Sequence, residues 1–561
     1  MRIEKFAVAL LGLSFFASAV LAQTAEDVTL GQLETKSSSK TNIRLVGKKG
    51  NPKGVTHLAV SHGNYKPDIG WRSDRTRSNP RATATIDIQN PSVSNTLPSL
   101  TTQDFYVRSD FDLVRALRWQ GNKRIRLAPG TYNLRTVSKS FPINETTGSL
   151  ILVGESHEST KIIGPGTKAS QDFLQLGKGY GQVVIDRIEF ENWGTVVRLL
   201  KNDHDQISVT NCSFRKIANT VGTYNSNLAH GGIDTLVFRN NQVLSSRAFG
   251  VNLVYQPNSR LRNIDISRNV FQNVISKKFE AIGIGLRANL KPGVEGFTTA
   301  DSKLNISQNT VRNVRKRVSA RGGIVDGIIV DGFINVSIRN NIVSEVHREG
   351  GDSRGIYVAL VKNCVVHDNT MTNCGWTGFL CKRGWDMVVS RNVIRGSQTS
   401  SFMILRGNRI TITSNEIKDG GNRAMYIASV NGLFINNNVI ANNGVNGIPP
   451  AQRGSVFLFA NQDVTFEQNH LQETIGMAPI RIAGNLPMKN YSIRNNLIHN
   501  PNFNVAVEFG FKSSSGTGAL DNLLIAENQT ANINGIARVA SGKPPTSSLI
   551  RNNQPNQSRT R

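Results

Sequence analysis

The chain has 561 residues and a formal net charge of +27, from 66 Lys and Arg against 39 Asp and Glu. This length exceeds what one ordinary core organises, so it holds several domains or one long repetitive one. Its hydrophobic share of 38% is too high for wholesale disorder, and the apolar residues are too dispersed for a multi-span membrane protein. Abundant Gly, Asn and β-branched residues exclude a helical solenoid, and the cationic surplus predicts attraction to polyanions.

At the N-terminus, Arg2 and Lys5 precede an apolar run over 6–21, with Val20 and Ala22 as small residues at its exit. This is the order of a secretory signal peptide (residues 1–22) cleaved near Ala22; an uncleaved anchor is the alternative. Export places the protein in the periplasm or outside the cell and disfavours nucleic acid as its polyanion. Residues 23–100 are rich in Ser, Thr, Asn, Lys and Pro with little periodicity, and read as a flexible polar extension. Order is expected from 101. Ser109 is an N-cap for a short helix with Leu113, Ala116 and Leu117 on its apolar face, and the stretch 123–132 reads as a strand ending in a Pro129-Gly130 turn.

Beyond residue 200 one phrase recurs, apolar-x-apolar-x-x-Asn-x-apolar, as in Ile264-Asp265-Ile266-Ser267-Arg268-Asn269-Val270-Phe271. Its asparagines are Asn241, Asn269, Asn309, Asn341, Asn369, Asn392, Asn415, Asn438, Asn469, Asn496 and Asn528, at intervals of 23 to 40 residues. Each interval holds a second alternating segment, such as Gly355-Ile356-Tyr357-Val358-Ala359. Two or three short strands per ~23 residues leave no room for a helix and suit one coil of a parallel β-helix, with coils stacked ~4.8 Å apart. The asparagines then form a ladder at a turn, where Asn also tolerates left-handed backbone.

The amphipathic helix followed by Ile125-Arg126-Leu127-Ala128-Pro129-Gly130-Thr131-Tyr132 resembles the opening of the pectate-lyase-like superfamily. It is nearest in look to polysaccharide lyase family six, the chondroitinase B and alginate lyase group. The resemblance spans 105 to about 555. It implies an all-β, single-stranded right-handed parallel β-helix over 101–555 with a short capping helix, a polar tail at 556–561 and a monomer. Cys212, Cys364 and Cys381 lie in strand patterns as small buried hydrophobes, and Cys374 lies in a turn. A Cys374–Cys381 or Cys364–Cys374 bridge is the alternative.

Alternation puts Arg287, Asp331, Ala359, Lys382, Arg406, Ala428 and Ala460 in one outward column. The column beside it reads Asn252, Gly285, Ile329, Tyr357, Leu380, Ile404, Tyr426 and Leu458. Asp326, Arg354 and Arg423 sit near the strand entrances, and His347 in the turn before Tyr357. Such a basic strip with aromatics suits an anionic, uronate-containing polysaccharide: guanidinium groups grip carboxylates and tyrosine rings cover sugar faces.

Family six uses a Lys and an Arg on nearby coils as base and acid in β-elimination, and Lys382 and Arg406 are similar in arrangement. Tyr357 is the substitute proton donor. Substrate contacts are then expected from Arg354, Arg383, Arg287, Asp331, Tyr426 and His347. The family's Ca²⁺ ligands just before the lysine are missing, since 372–381 contains no acid. No cofactor is therefore expected, and a cage of Asp326 and Asp331 would be too small. The segment Lys201-Asn202-Asp203-His204-Asp205 is superficially similar to the Asp-Pro-His-Asp signature of periplasmic mannuronan epimerases, but reads as a polar turn. The sequence thus points to a polysaccharide lyase or related epimerase. Its alternatives are a non-catalytic polysaccharide-binding or cell-envelope protein and, third, a phage-like glycoside hydrolase using Asp326 or Asp331.

Overall fold

A computed structural model describes residues 102–556, apart from 168–170, 224–228, 278–279, 290–295, 317–322, 349–350, 445–454, 473–477, 485–486, 500–504, 512–519, 532, 534, 542–544 and 546–547. The expected signal peptide and polar extension lie outside the described residues. The rest is a right-handed parallel β-helix. Successive strands pair in parallel with the coil before and after, in one sheet of 28 strands and one of 16. The larger sheet covers two faces of the coil because long strands such as Ser353–His367 and Thr377–Ser390 run through the corner between them.

The helix α1 (Asp110–Arg118) begins at Ser109, whose Oγ accepts from the Asp112 amide, and it buries Leu113, Ala116 and Leu117 against the first coil. Its C-terminal end is closed by Lys123, buried at 1% exposure, whose Nζ donates to the carbonyls of Trp119 at 2.5 Å and Thr147 at 2.8 Å. Beyond Pro129, Tyr132 Oη donates to the Val107 and Ala128 carbonyls at 2.8 and 2.9 Å, tying the turn to the cap.

The asparagine ladder runs without a break from Asn241 to Asn553, one rung beyond the last asparagine expected from sequence. Each Oδ1 accepts both the side-chain amide and the backbone amide of the preceding rung. For Asn415, these are Asn392 Nδ2 and N, each at 3.0 Å. The left-handed residue, however, is the one before each ladder asparagine. Asn240, Arg268, Gln308, Asn340, Asp368, Arg391, Ser414, Asn437, Gln468, Asn495, Glu527 and Asn552 all have positive φ. Placing Arg or Glu there costs roughly 1–2 kcal/mol, which two or three buried hydrogen bonds per rung offset.

All four cysteines are buried and free, so neither bridge forms. Burial pushes the thiols of Cys212, Cys364 and Cys374 up to about 12, which makes them core residues and not nucleophiles. The segment 201–205 is a structural corner: Asp203 Oδ1 accepts from the Gly232 amide at 2.5 Å, and Asp205 Oδ2 accepts from the Gly181 amide at 3.1 Å. His204 is buried there, in contact with Tyr180 and His230, and His230 in turn lies against Tyr255.

Asn392→Ala strands the Asn369 amides and removes three donor contacts, and is expected to cost about 3–4 kcal/mol in denaturant unfolding. Asn553→Ala, half-buried at the end of the ladder, strands the Asn528 amides but removes only one donor contact, and should cost less, about 1–2 kcal/mol. The His230 imidazole is held down to about 3, first by burial and then by His204. The unfolded chain therefore takes up a proton that the folded chain refuses. Stability falls as pH drops from ~6.5 towards the folded value, by at most roughly 3–5 kcal/mol. Unfolding midpoints at pH 7 and pH 4 should differ less for His230→Phe than for the parent.

Candidate functional site

A glycine column runs through the strands that carry the site. Gly283, Gly327, Gly355 and Gly378 lie on successive coils, where neighbouring side chains and carbonyls leave no space for a Cβ. A Cβ on Gly327 would lie 2.3 Å from Val343 Cγ1 and 2.6 Å from the Gly355 carbonyl. Along the same strand Asp326 faces outward before Gly327, and Ile329 and Asp331 after it, while Ile328 and Val330 enter the core.

Register fixes three outward columns. The first runs Phe249–Ile282–Asp326–Arg354–Thr377. The second runs Asn252–Gly285–Ile329–Tyr357–Leu380–Met403–Tyr426–Phe457–Arg481. The third runs Val254–Arg287–Asp331–Ala359–Lys382–Leu405–Ala428–Phe459–Ala483.

The expected columns were therefore right from Arg287 to Lys382 and again at Tyr426 and Ala428, and one residue out at Ile404, Arg406, Leu458 and Ala460. Lys382 pairs with Leu405, not Arg406, and Ile404 and Leu458 face the core. Arg406 lies at the following corner with left-handed φ of 66°, as Arg383 does at 67°. One spacing of 23 residues separates the two, as it separates the ladder asparagines of their coils, so Arg383 and Arg406 match one another. His347 is not in a turn: it lies on the strand Ile342–Arg348, in register with Arg315 on the neighbouring face.

The residues that do come together form a cluster centred on Arg354 and Asp331. Arg354 is 7% exposed and grips the fully buried Asp326 with two bonds, Nε–Oδ1 at 2.7 Å and Nη2–Oδ2 at 3.0 Å. Burial opposes its charge, but Asp326 more than compensates and holds the guanidinium above its ordinary range. Its other face carries the Tyr357 ring, with the guanidinium carbon 3.8 Å from the ring centroid. Arg354 is thus a platform for Tyr357 and is not directed at a ligand carboxylate. Burial raises the Tyr357 phenol against the pull of Arg354, so the ring keeps its proton and can donate it.

Arg287 is held by Glu280 at 2.5 Å and by Asn252 Oδ1 at 3.2 Å, neither an expected partner. Asp331 lies beside Arg287 on the next coil, and its Oδ1 is buried with no hydrogen-bond partner. Its backbone carbonyl is fixed from inside by Tyr255 Oη. Burial raises the Asp331 carboxyl to about 6, against the opposing fields of Arg287, Lys382 and Arg354. Ala359 lies between Asp331 and exposed Lys382 in the third column. Lys382 and Tyr357 are diagonal neighbours on adjacent coils, roughly 8 Å apart along the backbone by strand and coil spacing.

Tyr426 is three coils away and belongs to a different patch, stacked on Phe457. Asp326 cannot join Asp331 as a hydrolytic pair, because both its oxygens are taken by Arg354. With both Asp326 oxygens engaged, Asp326 and Asp331 offer too few oxygens for a calcium cage. Among the described residues no helix is long and apolar enough to cross a membrane.

Residues 293–455 match the family described as a right-handed β-helix region. Among solved structures, the chain is similar to the A-module of the mannuronan C-5 epimerase AlgE6 of Azotobacter vinelandii. Identity is 13%, over 77% of this chain and 91% of that one, with a TM-score of 0.31. It is also similar to a mannuronic acid specific family 6 polysaccharide lyase from human gut microbiota (13% identity, 77% and 86% covered, TM-score 0.31). A third likeness is to the tailspike gp61 of Pseudomonas phage phi297 (9% identity, 76% and 70% covered, TM-score 0.34). Likeness at this level carries neither a substrate nor a mechanism to this chain. No curated protein matches the sequence.

The electrostatics of the cluster can be checked directly. In carbon-detected NMR the Asp331 carboxyl should titrate near pH 6 in the parent. In Lys382→Met it should titrate higher, because the lost cation had favoured the charged form. A midpoint in the ordinary carboxylate range, or one unmoved by the substitution, would contradict this account.

Proposed function

We propose that the chain is an exported enzyme acting on a uronate-containing polysaccharide, cleaving it by β-elimination or epimerising it at C5. The observation that carries this reading is the juxtaposition of Tyr357, Lys382, Arg287 and Asp331 on one outward face, with Tyr357 backed by the Arg354–Asp326 pair. A sugar carboxylate set over Ala359 has Arg287 on one side and Lys382 on the other. Protonated Asp331 can donate to the same carboxyl, and this hydrogen bond strengthens as the C5 proton leaves and charge builds on the carboxyl oxygens.

Lys382 is the base that takes the C5 proton. The electron pair released forms the C4–C5 double bond as the C4–O bond breaks, and Tyr357 protonates the departing oxygen. Return of a proton to C5 from the opposite face gives epimerisation instead. Tyr357 takes the acid role that sequence alone gave to Arg406, since Arg406 is not in register with Lys382.

Alginate, polygalacturonate, glucuronan and glycosaminoglycans should be screened for ultraviolet-absorbing unsaturated ends and, by proton NMR, for inversion at C5. On the polymer that reacts, Tyr357→Phe and Lys382→Ala should each lower kcat/KM by about a hundredfold or more, and Arg406→Ala by under about tenfold. Absence of both products on every uronate polymer would sink the reading. Polymer binding without turnover that survives Lys382→Ala would mark a non-catalytic envelope protein.

A further inference from the structure

The second and third outward columns continue past the cluster into a patch that the proposed chemistry does not use. Tyr426 and Phe457 stack on adjacent coils with centroids 5.5 Å apart and planes 28° apart. Arg423, 6% exposed, lies over both rings, at 5.3 and 4.9 Å from their centroids. Arg481 follows Phe457 in the same column and lies 5.9 Å from its ring. It is 9% exposed, and its Nε is buried with no hydrogen-bond partner. Glu508 contacts Arg481 at 3.6 Å but makes its short bond, 2.6 Å, to Arg538. Around Phe457, two guanidinium groups therefore converge on a flat aromatic surface, with one carboxylate that is shared with a third arginine.

We propose that this patch is a second sugar-binding platform, which holds a carboxylate-bearing residue of the same polymer chain bound at the Tyr357–Lys382 cluster. For the class of polymer the inference rests on the reading above; for its location it rests on the patch alone. Arg481 and Arg423 supply the charge for a carboxylate, and the Phe457 ring supplies the flat surface for a sugar face. Burial first, and then repulsion from Arg481, brings the Arg423 guanidinium down to about 10, so an anion arriving here relieves a cost already present in the protein. The floor between the two places is smooth: Leu380 and Met403 in one column and Ala428 in the other are nearly covered. From Lys382 to Ala483, beside Arg481, is four coil steps, or ~19 Å. One chain of several sugars reaches both places and a disaccharide does not.

Calorimetry on the full chain tests this with a uronate polymer, its disaccharide and its carboxyl-reduced form. Phe457→Ala and Arg481→Gln should each weaken polymer binding about ten- to thirtyfold and change disaccharide binding less than twofold, and the reduced polymer should not bind the parent. Phe457→Leu, which keeps apolar volume but removes the ring, should lose affinity as Phe457→Ala does, with an unfolding midpoint close to that of the parent. Polymer affinity retained within twofold in these variants overturns the platform, as does an equal loss for polymer and disaccharide. Chain-length-dependent binding lost in the variants, without turnover in the parent, leaves the platform standing and removes only the catalytic reading. A parent that binds no carboxylated polymer overturns both.

Discussion

The placement of every functional group on this molecule depends on a side-chain amide bonded to its counterpart one coil away. The asparagine ladder does more than fill a turn. Each Oδ1 takes two donors from the preceding rung, and each Nδ2 reaches both the next rung and a core-strand carbonyl, as Asn415 does with Asn438 and Val389. A one-residue slip would break all of these bonds at once and turn an alternating strand inside out. The ladder therefore fixes register, and register decides which side chains share an outward column. It also makes left-handed backbone tolerable at Arg268, Arg391 and Glu527, residues with no intrinsic preference for it.

With the core fixed in this way, the outer face has chemical freedom of a limited kind. Many described cations are already engaged: Arg198 with Asp172, Arg239 with Asp265, Arg391 with Asp368 and Arg494 with Glu467. The formal charge of +27 is therefore not one diffuse attraction. It acts where cations outnumber carboxylates on a single face, and exposed ion pairs elsewhere contribute little to stability or to binding.

The fold was legible because its main signal is a residue type at a period. The ladder asparagines, the Ser109 cap and the Ile125–Tyr132 opening could all be read directly from the sequence. The outward columns were legible from Arg287 to Lys382 and again at Tyr426 and Ala428, and slipped by one residue in the coils between and after, for an identifiable reason. Met403-Ile404-Leu405 is apolar throughout, so hydrophobic alternation carries no parity there. The ladder itself holds the missing information: Asn392 and Asn415 are 23 residues apart, so Lys382 must meet residue 405 and Leu380 must meet 403. That rule works in coils without insertions. It could not find Glu280 and Asn252 around Arg287, because the chain between them and their neighbouring coils varies in length. Nor could it show that Arg354 turns towards Asp326 and away from solvent, since an outward position says nothing about which neighbour a long side chain selects.

Asp326 and Asp331 show why placement, more than residue type, decides the chemistry here. They are five positions apart on one strand, both outward and both beside arginines, with Asp326 fully buried and Asp331 only partly so. Asp326 receives the two nitrogens of Arg354 and becomes a fixed support. Asp331 has only the fields of its neighbours and a buried oxygen with no donor, so it keeps an affinity for a proton near neutral pH. Strand register creates this difference: it sets Asp326 opposite Arg354 on the next coil and Asp331 opposite Ala359, a methyl group that offers no hydrogen bond. The partners available to each carboxylate are therefore a property of how the coils stack.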